Sequence, residues 1–107
     1  MAECLLVTTT VGTREDADRL AESVVDGRLA ACAQVSGPVA STYRWRGAID
    51  RATEWICEFK TTRARLPALE ALLDALHPYE LPELTVVPLD GSAAYLAWIE
   101  EAVRDEG

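Results

Sequence analysis

Two stretches of alternating residues around a single glycine limit this chain more than any other feature. Val39, Ser41, Tyr43 and Trp45 fall on one face and Ala40, Thr42, Arg44 and Arg46 on the other, up to Gly47. Further on, Trp55, Cys57, Phe59 and Thr61 share a face, with Glu54, Ile56, Glu58 and Lys60 opposite. A period of two belongs to strands and not to helices. The spacing therefore predicts a long antiparallel hairpin whose turn falls between Gly47 and Ala52. Arginines on the first arm and glutamates on the second suit cross-strand pairing.

The rest of the chain supplies what such a hairpin packs against. Cys4 to Val11 is a continuous apolar and β-branched run, which predicts a strand covered on both faces. Gly12 breaks it, Thr13 caps a helix with Glu15 and Asp16 in its first turn, and Ala17, Leu20, Ala21, Val24 and Val25 form its apolar stripe. Gly27 ends that helix. Leu29 to Val35 predicts a second strand, interrupted or bent at Ser36-Gly37-Pro38. A helix with Pro67 in its first turn buries Leu66, Leu69, Leu73 and Leu76 and stops before His77-Pro78. Glu83 to Leu89 predicts a strand whose Pro88 marks an edge or a bulge. Ser92 caps a last helix reaching about Val103, before a polar, frayed tail from Arg104 to Gly107. The order β-α-β-β-α-β plus a C-terminal helix is an α+β, ferredoxin-like split βαβ pattern, in one domain over residues 1–107.

Charge narrows the partners. The 107 residues carry a formal charge of −8. Such a surface repels nucleic acid and anionic membranes at long range, so neither is expected as a partner. No apolar run reaches the ~18 residues of a membrane span, and Met1-Ala2-Glu3-Cys4 lacks the basic flank of a signal peptide, which predicts a cytoplasmic protein. Three cysteines, Cys4, Cys32 and Cys57, sit among apolar neighbours without CxxC spacing and read as buried, reduced thiols.

Motifs for catalysis are missing. The chain has no GxGxxG, P-loop, HExxH or nucleophile elbow, and its one histidine, His77, has no partner at a telling spacing. His77 has two readings: a helix-terminal ring hydrogen-bonded to a carbonyl or carboxylate, or a metal ligand with Glu80, Glu83 or a neighbouring subunit's acids. The hairpin ends expose Tyr43, Trp45 and Trp55, and long bare strands are aggregation hazards. A symmetric oligomer with these rings at its interface is the simplest remedy.

The segments Leu29-Ala30-Ala31-Cys32, Ser41-Thr42-Tyr43-Arg44-Trp45-Arg46-Gly47, Phe59-Lys60-Thr61-Thr62, His77-Pro78-Tyr79-Glu80-Leu81-Pro82-Glu83 and Tyr95-Leu96-Ala97-Trp98, with the Thr-rich end of the first strand, run in family order across nearly the whole chain. Together they resemble the CutA family of divalent-cation tolerance proteins. The resemblance implies a ferredoxin-like subunit in a tight homotrimer similar to PII-type signalling trimers, with hairpin strands pairing across subunits. It also implies divalent-metal binding, copper ahead of zinc, a role in metal tolerance, and no catalytic activity. Copper-binding members place a cysteine near the end of the first strand and two histidines ahead of Pro-Tyr. Here those positions hold Thr9 and Leu76, and only His77 matches. The metal candidates are His77, Cys32 and Glu80, and the expected copper affinity is reduced accordingly. Tyr43, Trp45, Trp55, Lys60, Tyr79 and Glu83 are the residues expected at a ligand cleft or interface between subunits. A PII-like small-molecule sensor is the alternative to a metal-binding trimer, and a scaffold for partner proteins is a third reading.

Overall fold

The predicted hairpin exists, and its two strands are the longest elements of the described residues. The computed structural model describes residues 2–104; the tail at 105–107 lies outside them. Strands β1 (Cys4–Val11), β2 (Cys32–Trp45), β3 (Ala48–Thr62) and β4 (Thr85–Pro88) form one sheet in the order β2-β3-β1-β4. All three pairings are antiparallel. Helices α1 (Arg14–Asp26), α2 (Leu66–Leu76) and α3 (Ala93–Ala102) complete the α+β, ferredoxin-like fold. The principal extents are 45 × 26 × 21 Å, and the projecting β2–β3 ribbon accounts for the long one.

Local chemistry sets the boundaries. Thr13 Oγ1 accepts the Asp16 N–H at 3.1 Å at the start of α1, and Ser92 Oγ accepts that of Tyr95 at 3.2 Å at the start of α3. Trp45 faces Ala48, so the turn holds only Arg46 and Gly47. Their φ values of 50° and 82° are those of a type I′ turn, whose twist matches the ribbon. Gly47 takes that conformation freely and Arg46 does so at some cost.

One core lies between the sheet and α1 with α2. Leu5, Val7 and Val11 of β1 and Cys57 and Phe59 of β3 meet Ala17, Leu20 and Val24 of α1 and Leu66, Leu69 and Leu73 of α2. The opposite face is covered at one end by α3, where Cys4 Sγ reaches the Leu96 carbonyl at 3.9 Å and Lys60 reaches Tyr95, and at the other by Tyr79, which meets Glu54.

Several expectations are corrected. β1 is fully buried along one face, whereas on the other Cys4 is buried and Leu6, Thr8 and Thr10 are half-buried. The second strand starts at Cys32 and not at Leu29. Arg28 turns the chain with a φ of 58°, and the Leu29 carbonyl is taken by the Thr61 hydroxyl at 2.6 Å before the ladder begins. Cys32 is therefore half-buried at a strand end, while Cys4 and Cys57 are buried. Arginine–glutamate pairs across the hairpin do not form, since Arg44 faces Ile49 and Glu54 faces Val39. Trp55 packs against the core instead of lying exposed. The last strand holds four residues, shorter than predicted, at the sheet edge as Pro88 suggested.

Candidate functional site

Pro78 ends α2, and the chain that follows turns back along the end of β1. His77, at the helix terminus, has an extended ψ of 131° and donates its backbone N–H to Leu73. Its ring is held from both sides. Nδ1 accepts the Tyr79 backbone N–H at 3.1 Å, which puts the ring proton on Nε2. Nε2 then donates to the Thr10 carbonyl at 2.9 Å, with Thr9 Oγ1 at 3.1 Å. The Thr9 hydroxyl gives its own proton to the Glu83 carbonyl at 2.6 Å, so toward His77 it can only accept. Burial lowers the His77 pKa below the usual 6.5, against the opposing pull of the Thr10 hydrogen bond and of Asp16 and Glu54. The geometry favours a neutral imidazole that ties residues 77–83 to β1.

Tyr79 carries the tie to the other side of the sheet. Its ring passes Gly12, where an added Cβ would lie 3.3 Å from the phenol oxygen. The phenol donates to Glu54 Oε2 at 2.9 Å. Burial, and then this bond to a carboxylate, raise the Tyr79 pKa and keep the proton in place. Glu54 is only 8% exposed, and among the described residues no basic side chain pairs with it. Thr10, Ser41, Thr42, Tyr43, Leu81 and Glu83 join Glu54 and Tyr79 around a cavity of about 380 Å³. Its lining has two carboxylates, five hydroxyls and no cation. Arg46, at the hairpin turn, reaches Glu80 of the same loop at 2.8 Å and closes the strap from outside.

The structure brings some predicted residues together and separates others. Tyr43, Tyr79 and Glu83 line the cavity. Trp45 lies outside that lining, under the Arg46 guanidinium at 5.3 Å. Lys60 sits toward the other end of the sheet, its Nζ 3.4 Å from the Tyr95 hydroxyl. The three metal candidates do not converge within one chain. Cys32 pairs with Lys60, whereas His77 adjoins Thr10, whose partner is Ile56. Four residues of β3 separate those positions, about 13 Å at strand rise. Glu80 is exposed and paired with Arg46. Among the described residues no three His, Cys, Asp or Glu side chains could share an ion. With both ring nitrogens of His77 engaged, these residues do not fit a copper centre in a single chain. Glu54 escapes sequence reading, because nothing in its spacing separates it from Glu58 on the same face.

Comparison with known proteins follows the same residues. Residues 5–102 match the family described as CutA1 divalent ion tolerance protein. The divalent-cation tolerance protein CutA of Thermus thermophilus is 37% identical over 102 residues, covering 94% of this chain and 97% of that one. CutA from Synechococcus elongatus superposes with a TM-score of 0.91 at 42% identity, over 97% of this chain and 93% of that one. The CutA homologue of Danio rerio is 37% identical over 87% of this chain, which spans 63% of that protein's length.

Proposed function

This chain belongs to the CutA1 divalent ion tolerance protein family, and we propose on that premise that it is a cytoplasmic, non-catalytic homotrimer that contributes to divalent-cation tolerance by binding. The observation that carries the binding role is the hydroxyl-lined cavity in which, among the described residues, no cation pairs with the buried Glu54. Assembly is supported by the ribbon, which projects Tyr43 at 42% and Ile49 at 62% exposure, and by the sheet face that α3 leaves half-covered. A non-catalytic role is supported by the side chains that would otherwise serve as nucleophile and base. His77 has both nitrogens engaged, and burial, with Asp18 nearby, pushes the Cys57 thiol up to about 11. Copper is the metal the family resemblance implies, ahead of zinc. Glu54 and Glu83 offer it oxygen ligands alone, so its affinity falls below that of a thiolate and imidazole site, although copper keeps its rank over zinc.

The test is calorimetric titration with Cu²⁺ and Zn²⁺, with mass from light scattering on the same samples. The expected result is a mass near three times 11.7 kDa and a heat of binding that Glu54→Gln removes and His77→Gln leaves in place. A monomer, or no heat at millimolar metal, would sink this reading.

A PII-like small-molecule sensor is the second reading, and the size of the cavity favours it. About 380 Å³ far exceeds an ion and falls in the range of small-molecule sites.

A further inference from the structure

The cavity beneath the strap has a charge that no basic side chain among the described residues pairs with. A carboxylate offers about four acceptor positions. Glu54 uses one, on Oε2, for the Tyr79 phenol, and among the described residues Oε1 receives no hydrogen bond. Since no fully buried side-chain oxygen is left without a partner among the described residues, Oε1 faces the open cavity, where a cationic donor can pair with it. The nearest candidate from the hairpin turn, Arg46, is committed to Glu80 and to the face of Trp45. Glu83, in the same lining, adds a second negative charge, and the rings of Tyr43 and Tyr79 supply faces that attract cations.

We propose that this pocket takes a small organic cation with N–H donors, an alkylammonium or a guanidinium, whose head pairs with Glu54. Tyr79 is a positioning residue: its phenol fixes one carboxylate oxygen and leaves the other for the ligand. The two carboxylates exclude phosphorylated and other anionic ligands. The proposal rests on the small-molecule reading of the cavity and gives that reading a ligand class.

Agmatine, which carries both head groups, is the probe. Titration of the full chain in metal-free, amine-free buffer is expected to show binding and a rise in melting temperature, with inorganic phosphate as the anionic control. Glu54→Gln should weaken agmatine binding tenfold or more, as expected on losing a buried charge pair. Tyr79→Phe should weaken it less, and the exposed Glu83→Gln, which leaves the fold untouched, should weaken it several-fold. Circular dichroism and mass on each variant separate lost binding from lost folding. Equal affinity in wild type, Glu54→Gln and Glu83→Gln would overturn the proposal, as would absence of agmatine binding. If a neutral or anionic metabolite then raised the melting temperature, the small-molecule reading would stand and the ligand class would fall. If no small molecule bound at all, both would fall.

Discussion

The β2–β3 ribbon is one element with two fates. At its root Cys57 and Phe59 are fully buried, and Ala33 and Val35 pack beside them against the α1–α2 layer. At its tip the same alternation continues, yet Tyr43 and Ile49 stand open. Alternation specifies a strand and its two faces; what covers those faces is decided by elements distant in sequence. The root is completed within the chain, and the tip is left uncovered by the described residues, as the proposed assembly requires.

The largest effect that would sharpen this contrast is at the root. Phe59→Ala opens a cavity in the core between the sheet and the α1–α2 layer and is expected to cost about 3–5 kcal/mol, measured by denaturant unfolding at fixed protein concentration. At the tip, Trp45→Ala should leave the circular dichroism spectrum unchanged and weaken assembly by about 2 kcal/mol or more. Light scattering on dilution checks it, and a variant that holds its trimer mass at nanomolar concentration would show the ring to be peripheral.

A smaller effect is read in pH. Burial holds the folded-state pKa of His77 below 6.5, so the unfolded chain takes up a proton first as pH falls. The neutral ring's contribution is full well above 6.5, declines as pH falls through 6.5, and is gone below the folded value. Melting temperature should therefore drop on mild acidification in the wild type, with a shallower slope in His77→Gln. Parallel slopes would show that the ring does not hold the strap to the root. Smallest is the clip between tip and strap. Arg46 and Glu80 are 69% and 73% exposed, so Arg46→Ala should change unfolding free energy by no more than about 0.5 kcal/mol.

Much of the fold was legible because the signals were local. The caps at Thr13 and Ser92, the stop before Pro78 and the edge at Pro88 each follow from one residue's chemistry. The turn was less legible, since a type I′ pair needs Arg46 at positive φ and no arginine advertises that. The cavity was legible only in part. Tyr43, Tyr79 and Glu83 were expected at a cleft or interface between subunits, and within one chain they lie around this cavity. Glu54 was not, because its burial depends on a tyrosine 25 residues away in sequence. His77 drew attention as a lone imidazole, but its nitrogens are settled by Thr10, from β1, and by a backbone N–H of its own loop.

The position of β1 has a consequence for the making of the protein. The earliest of the four described strands to be synthesised lies in the interior of the sheet, and both its neighbours come later: Leu5 pairs with Thr61 and then with Pro88. At roughly 5–20 residues per second, about 4–17 s pass between synthesis of the first strand and of the last edge that flanks it. Until β3 is made, an octapeptide rich in leucine, valine and threonine has both hydrogen-bonding edges unfilled, and one edge stays unfilled until β4 follows. Nascent chains stalled before residue 85 should therefore be the most aggregation-prone species this sequence produces, and the ones most dependent on chaperones.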